Sequence, residues 1–230
     1  MQRGWLQLSA AVGALAVIAA AACARAAHGS PSGALRPGTV DQTPASAAAQ
    51  VTPDTGQSPY TAADVYFMAG MISHHAQAVL MAGWAPTHGA SGAVRTLCER
   101  IVVGQRDEIA FMQRWLGERQ EAVPHADPRG HMMPGMDHPM LVPGMLTPQQ
   151  MAQLDSARGP QFDRLFLKFM IQHHRGAITM VEQLLSTPGA AQDGLVFQFA
   201  SGVHADQTTE IDRMTRMLDV LSQTSERSRQ

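Results

Sequence analysis

An internal duplication restricts the folds that this chain can adopt. Residues 64–81 align without a gap with residues 163–180 at an offset of 99, and eight of the 18 positions are identical. A second pair of segments, 105–116 and 207–218, shares six of 12 positions at an offset of 102. Self-similarity of this kind indicates one structural unit that is used twice. The fold must therefore pack two copies of the unit against each other.

Each copy has the residue spacing of amphipathic helices, because its apolar residues recur at intervals of three and four. The expected caps are Thr61 with Asp64, Ser91, and Thr147 with Gln150. Short links make the two helices of a copy antiparallel neighbours, so the sequence predicts an all-α fold, a four-helix bundle built from a duplicated antiparallel helical hairpin. The predicted long helices span 62–85, 92–121, 161–187 and 191–223. The bundle as a whole is predicted to span 60–225. Its segments, in chain order, are hairpin one 60–121, a loop 122–146, a short helix 147–158 and hairpin two 160–223.

The first 22 residues have the pattern of an export signal, with Arg3 before an apolar stretch. The following run Ala20-Ala21-Ala22-Cys23 resembles a bacterial lipoprotein processing box, which predicts lipidation of Cys23. Two alternatives stay open: cleavage after Ala26, which would release a secreted protein, and an uncleaved membrane anchor. Residues 23–59, rich in Ala, Pro, Ser and Gly, are expected to form a disordered tether. We expect a lipoprotein on the outer face of the cell membrane or in the periplasm.

The composition narrows the classes of partner. A formal net charge of -2 gives no basic surface for nucleic acid, and two cysteines, Cys23 and Cys98, give no disulfide framework. Cys98 is expected to be a small buried hydrophobic residue. By contrast, 15 Met and 10 His in 230 residues are a bias towards thioether and imidazole groups. These groups are soft and intermediate metal ligands.

Both copies of the repeat carry a His-His pair between two methionines, and a repeated aspartate lies eleven residues before the second histidine. Methionine three residues before a histidine lies on the same helix face. Two-fold packing of the hairpins would bring the two pairs together in the bundle interior. The candidate metal ligands are His74, His75, His173, His174, Met71, Met81, Met170, Met180, Asp64 and Asp163.

Imidazole and thioether together favour copper, with Cu(I) ahead of Cu(II). Zinc ranks lower because it prefers thiolate or carboxylate ligands, and iron ranks lower because the sequence has no Glu-x-x-His. The alternative is that the histidines are polar core residues. Their hydrogen-bond partners would then be Gln105, Glu108, Gln207 and Glu210, which interrupt the apolar stripes of the second and fourth helices.

The segment 122–146 contains five Pro, three Gly, five Met and three His, so it is predicted to be a loop without regular structure. Exposed methionines are oxidisable, and capture of cuprous ions would account for them. The alternative is a linker whose methionines pack on the bundle. The candidate ligands of this secondary metal loop are His131, Met132, Met133, Met136, His138 and Met140.

The paired blocks Phe-x-x-x-Met-Ile-x-His-His-x-x-Ala-x-x-Met, each followed by Gln-x-x-Glu-Ile-x-x-Met, resemble the domain of unknown function 305 family from about residue 60 to 221. The resemblance implies a ferritin-like four-helix bundle, export or lipid anchoring, and an association with copper binding or tolerance. Carried over by position, it implies metal binding by the paired histidines, their flanking methionines and the run from Met133 to Met136. Gly70 and Ser73 stand where the second copy has Phe169 and Gln172, so the halves need not bind metal equally.

Three functions follow as hypotheses. The first is a non-enzymatic protein that sequesters, stores or passes on copper, alone, as a homo-oligomer or to a metal-transfer partner. The second is a ferritin-like metal-dependent oxidase, which the carboxylates Asp64, Asp163, Glu108 and Glu210 keep open. The third is a cell-surface partner-binding module without metal.

Overall fold

The computed structural model describes residues 59–130 and 141–227 of the chain. Within these ranges the protein contains helices and loops and no strand. The predicted signal segment, Cys23 and the metal loop residues 131–140 lie outside the described residues. The helices are α1 Ala62–Gly83, α2 Gly92–Glu118, α3 Pro148–Ser156, α4 Pro160–Ser186 and α5 Gly194–Arg227.

The four long helices and the short one match the expected elements, and the predicted caps are confirmed. Thr61 and Asp64 form a capping box at α1, Ser91 caps α2, and Thr147 with Gln150 forms a capping box at α3. The ends of α1, α2 and α5 differ from the prediction, and α2 stops at Glu118 rather than 121. Helix α1 stops at Gly83, before the turn that contains Pro86. Helix α5 starts at Gly194 rather than 191, because an Asp193 oxygen accepts from the amides of Leu195 and Val196.

The predicted pairing is confirmed, since α1 packs along α2, α4 packs along α5, and α1 packs on α4. Two apolar clusters fill the interior, and each draws side chains from both hairpins. Met71 and Met180 belong to one cluster, whereas Met81 and Met170 belong to the other. This exchange of equivalent residues shows that the hairpins are related by an approximate two-fold axis.

The repeated aspartates connect one hairpin to the other. Asp64 Oδ1 accepts a hydrogen bond of 2.7 Å from the amide of Ala191, in the turn of hairpin two. Both oxygens of Asp163 lie 3.2 Å from the amide nitrogen of Ser91, at the turn of hairpin one. Both aspartates are buried. They therefore act as reciprocal clasps at the two ends of the bundle.

The described end of the inter-hairpin loop lies directly on α4. Gly176 meets it so closely that a Cβ there would stand 2.1 Å from the Pro143 carbonyl oxygen. Gly144 has φ +82°, a conformation that favours glycine, and a Cβ on it would approach the Gly176 Cα to 2.6 Å. On α1, the Gln77 side chain donates to the Pro128 and Leu146 carbonyls and accepts from the Leu146 amide. The loop is thus fastened across the α1–α4 pair.

Two further expectations concern burial. Cys98 is a buried free thiol, as predicted, and burial raises its pKa to about 12, so it is a poor nucleophile. In the described part of the chain, no helix has both the length and the apolar character that crossing a bilayer requires.

Candidate metal centre

The two His-His pairs meet where α1 and α4 pack together in the bundle interior. All four side chains are fully buried, at 0% exposure. The rings of His74 and His173 are 3.7 Å apart between centroids and tilted by 35°. The sequence therefore correctly predicted that the pairs converge, and we call His74, His75, His173 and His174 the histidine quartet.

His74 and His173 form the half of the quartet beneath the loop. The Nε2 of His74 is 3.1 Å from the Pro143 carbonyl oxygen, which can only accept, so Nε2 carries the proton. Burial lowers the pKa of His74 well below its ordinary value of 6.5, and neighbouring imidazoles lower it further. Burial likewise lowers the pKa of His173 well below 6.5. Both rings are neutral at physiological pH, which is the form that binds metals.

His75 and His174 point the other way, towards α2 and α5. The Nε2 of His75 lies 2.6 Å from Glu108 Oε2, and the Nε2 of His174 lies 2.6 Å from Glu210 Oε2. The two glutamates have equal exposure, 26%. A carboxylate bonded to one ring nitrogen orients the ring, which is the arrangement found behind metal-ligating histidines.

Every ring of the quartet keeps a nitrogen without a hydrogen-bond partner among the described residues. The unpartnered atoms are the Nδ1 of His74, His75, His173 and His174, together with Nε2 of His173. Buried polar groups are normally satisfied, and an unsatisfied one costs about 1–3 kcal/mol. The alternative of polar core histidines is confirmed for two of its predicted partners, because Glu108 and Glu210 bond to His75 and His174. It leaves the Nδ1 atom of each ring unexplained. The predicted partners Gln105 and Gln207 do not bond to the histidines, and their own amides also have unpartnered atoms.

The four candidate methionines are buried on both sides of the quartet. Met71 and Met81 lie one turn before and two turns after His74 along α1, and Met170 and Met180 have the same positions relative to His173 on α4. Each of the two apolar clusters contains one of these methionines from each hairpin.

The aspartates are a correction to the predicted ligand set. Asp64 and Asp163 lie eleven residues, roughly 16 Å along the helix axis, from the second histidine of their pair. Their carboxylates accept hydrogen bonds from backbone amides at Thr61, Ala191 and Ser91. Both residues are structural clasps, and we remove them from the candidate site.

The loop ligands lie outside the described residues: His131, Met132, Met133, Met136, His138 and Met140. Met145, the fifth methionine of this loop, is described and is buried in the core. For this residue, packing on the bundle is the correct interpretation.

In residues 59–130 and 141–227, no three His, Cys, Asp or Glu side chains already converge at the spacing of metal ligands. The quartet instead offers unpartnered ring nitrogens, and buried methionines lie on the same two helices. This donor set fits a soft cation of low coordination number, such as Cu(I), better than a hard ion that needs carboxylates.

Sequence reasoning missed the residues that close the site from the loop side. The Pro143 carbonyl sets the tautomer of His74. Gly176 has no side chain, which lets the loop pack directly against α4. The only available signal was the exchange of Gln77 in the first copy for Gly176 in the second, at equivalent positions of the repeat. His88, left without a role, is buried and bonded through Nε2 to Asp155, which gives it a structural function.

Comparison with known proteins places this geometry in context. The model of a family described as a domain of unknown function (DUF305) matches residues 64–218. The crystal structure of a "putative secreted protein DUF305 from Streptomyces coelicolor" is 29% identical, with a TM-score of 0.60 over 70% of this chain and 94% of that one. A DUF305 fragment from Deinococcus radiodurans is 27% identical, with a TM-score of 0.59 over 70% of this chain and 98% of that one.

A third similar structure is CopM in its Cu(II)-bound form, 24% identical, with a TM-score of 0.53 over 68% of this chain and 95% of that one. CopM has also been solved in Cu(I)-bound, Ag-bound and apo forms. At this identity the likeness concerns the fold. The comparison with curated proteins gives no match.

Proposed function

The chain belongs to the DUF305 family, which is defined by a domain of unknown function, and on this premise we propose that it is an extracytoplasmic copper-binding protein that sequesters, stores or handles the metal in copper tolerance. One observation carries the proposal. Four buried imidazoles lie together, and each has a ring nitrogen without a partner. A bound cation would convert these unsatisfied lone pairs into ligand bonds.

The chemistry of the donors favours copper, with Cu(I) as the preferred state. Burial keeps His74 and His173 neutral, so an incoming ion need not displace protons from them at physiological pH. Buried methionines lie one turn before and two turns after His74 and His173 on the same helices, and the combination of thioether and imidazole selects Cu(I) over harder ions. The copper-bound and silver-bound forms of CopM support the same assignment, because silver is a soft monovalent ion.

We propose a handling role rather than catalysis. All four histidines are fully buried, and the loop residues Pro143 and Gly144 lie against α4 above them. Catalytic metal sites keep an open position for substrate, whereas closed sites hold their ion. Oxygen consumption that depends on Cu(I) or Fe(II) and saturates with substrate would instead favour the oxidase hypothesis.

We also propose that the protein is exported and lipid-anchored through Cys23. The apolar segment before Cys23 and the description of the Streptomyces coelicolor relative support export. Replacement Cys23→Ala should move the protein from the membrane fraction to the soluble extracytoplasmic fraction. Retention in the membrane fraction would indicate an uncleaved anchor instead.

The test of copper binding is a competition experiment on the full chain, purified without a polyhistidine tag. The protein is offered Cu(I), Zn(II) and Fe(II) together, and retained metal is measured by mass spectrometry. We expect copper to be retained selectively. In the variant His74→Gln/His75→Gln/His173→Gln/His174→Gln, the tightest copper site should be lost while circular dichroism stays helical.

Two matched variants locate the site. The pair His125→Gln/His204→Gln removes exposed histidines and should leave copper binding unchanged. A loop variant with leucine at Met132, Met133, Met136 and Met140 separates the loop from the bundle. Equal copper retention by the wild type and the quartet variant would contradict the bundle site, and loss only in the loop variant would move the function to the loop.

A further inference from the structure

A polar cleft lies between α2 and α5, on the side of the bundle to which His75 and His174 point. The cleft has a volume of about 260 Å³. Its walls carry equivalent residues of the two repeats, Gln105 and Glu108 on α2 and Gln207 and Glu210 on α5. The approximate two-fold axis therefore brings two carboxylates and two carboxamides to one cavity.

The carboxamides are the unusual groups in this cleft. Gln105 is 5% exposed and Gln207 is 3% exposed. Oε1 of Gln105 and both side-chain polar atoms of Gln207 have no hydrogen-bond partner in the described structure. Each unsatisfied buried group costs about 1–3 kcal/mol, and an apolar side chain of the same size would avoid this cost. Their presence at two equivalent positions points to a ligand that uses the amide oxygens.

The charges around the cavity indicate the sign of that ligand. Glu108 and Glu210 each use one oxygen for a histidine, and a carboxylate has a second oxygen with which to bind. Asp206 adds a third negative group to the wall, and Arg100 supplies the one positive side chain among the residues that line it. The excess of carboxylates favours a cation.

We propose that this cleft is a second metal site, distinct from the histidine quartet, that binds a hard divalent cation through the oxygens of Glu108, Glu210, Gln105 and Gln207, with water completing the coordination. Carboxylate, amide and water oxygens suit ions such as Mn²⁺, which take six oxygen ligands. The proposal does not rest on copper binding, because the two sites use different donor atoms. A molecule with both sites would bind a soft ion at the histidine quartet and a hard ion in the cleft, with His75 and His174 between them.

Mn²⁺ tests this site selectively because thioethers, including those of the methionine-rich loop, do not bind it well. Free Mn²⁺ gives a six-line electron paramagnetic resonance signal that weakens when the ion is bound. We expect the full chain to bind one equivalent. The variant Gln105→Leu/Gln207→Leu should lose at least tenfold in affinity and unfold at a higher temperature, since it removes unsatisfied buried amides.

Two controls make the result decisive. Glu118→Gln/Glu182→Gln removes two exposed carboxylates away from the cleft and should bind Mn²⁺ like the wild type. His74→Gln/His173→Gln should also keep Mn²⁺ binding, which separates this site from the copper site. The proposal is overturned if the wild type leaves the free Mn²⁺ signal unchanged, if the glutamine variant binds normally, or if the glutamate control loses the same affinity.

Discussion

At the scale of single residues, the role of each histidine is decided by what bonds to its two ring nitrogens. The Nε2 of His74 bonds to the Pro143 carbonyl. The Nε2 of His75 bonds to Glu108, and the Nε2 of His174 bonds to Glu210. The Nδ1 atoms of these rings have no hydrogen-bond partner among the described residues. His88, with both nitrogens bonded, shows the structural alternative in the same molecule. The difference between ligand and core histidine is thus visible in the bonding of each ring.

The lowered pKa of His74 and His173 predicts a pH dependence of stability for the metal-free protein. Below about pH 6.5 the unfolded chain takes up protons at these positions, and the folded chain does not. The free energy of unfolding should therefore fall as pH drops from about 6.5 to 5, by at most about 1.4 kcal/mol per pH unit for each histidine, and should be insensitive to these groups above pH 7.

Urea unfolding at a series of pH values measures this slope. His74→Gln/His173→Gln should flatten it, whereas His204→Gln, which replaces an exposed histidine, should not. Identical slopes for the wild type and the double variant would show that the two rings are protonated in the folded state.

The clasp aspartates give a second prediction at this scale. Asp64→Ala removes acceptors for the Thr61 and Ala191 amides and should lower the free energy of unfolding by about 1.5–3 kcal/mol. Asp163→Ala should cost less, because its carboxylate bonds to the single amide of Ser91. Copper affinity, measured by chelator competition at a temperature where both variants are folded, should change less than twofold. A loss of tenfold would return these aspartates to the metal site.

At the scale of elements, the sequence was sufficient for the helices and their pairing. Caps such as Thr61 and Ser91 and the three- and four-residue spacing depend on neighbours along the chain. The course of the loop over α1 and α4 was not predictable, because it depends on contacts between residues far apart, such as Gly144 and Gly176. The wrong prediction of Asp64 and Asp163 as metal ligands had a related cause. Two residues that are eleven positions apart lie on the same helix face, but they are too far apart along the axis to belong to one site.

Gly176 supplies the prediction at this scale. In Gly176→Ala the new methyl group would meet the Pro143 carbonyl, so the loop or α4 must shift, at a cost of about 1–3 kcal/mol despite the better helix propensity of alanine. Gly202→Ala on α5 is the matched control, since nothing lies within 4 Å of its Cβ position, and it should gain about 0.5–1 kcal/mol. Thermal unfolding of both variants distinguishes the effects; a stabilised Gly176→Ala would show that the loop does not lie on α4.

At the scale of the whole molecule, the approximate two-fold axis brings the two copies of each repeated residue to related positions, where they act together. The clasps exchange between hairpins, each apolar cluster contains one candidate methionine from each hairpin, and the glutamates reach one cleft. The sequence predicted the convergence of the histidines because duplication implies symmetry. The sequence also predicted Glu108 and Glu210 as histidine partners, which the structure confirms. It did not predict that these glutamates line one cleft, since only packing shows that α2 and α5 face each other.

A buried ion pair without a repeat counterpart also joins the hairpins. Arg119, at the end of α2, bonds to Asp193 before α5 at 2.5 Å, and both side chains are 3% exposed. Burial acts to raise the pKa of Asp193, but the amides of Leu195 and Val196 and the Arg119 guanidinium outweigh it and lower the pKa. The guanidinium carbon is 4.2 Å from the centre of the Trp115 ring. The pair therefore fixes hairpin two against hairpin one through both charge and packing.

Separating the partners should be costly, because it leaves one charge buried without compensation. We expect Asp193→Asn and Arg119→Met each to lower the free energy of unfolding by about 3–5 kcal/mol, and the double variant to lose clearly less than the sum. Asp127→Asn breaks the exposed pair with Arg129 and should change stability little, since solvent screens that pair. Chemical denaturation of the four proteins completes the cycle. Additive losses would mean that Arg119 and Asp193 do not stabilise each other, and that the apolar clusters alone join the hairpins.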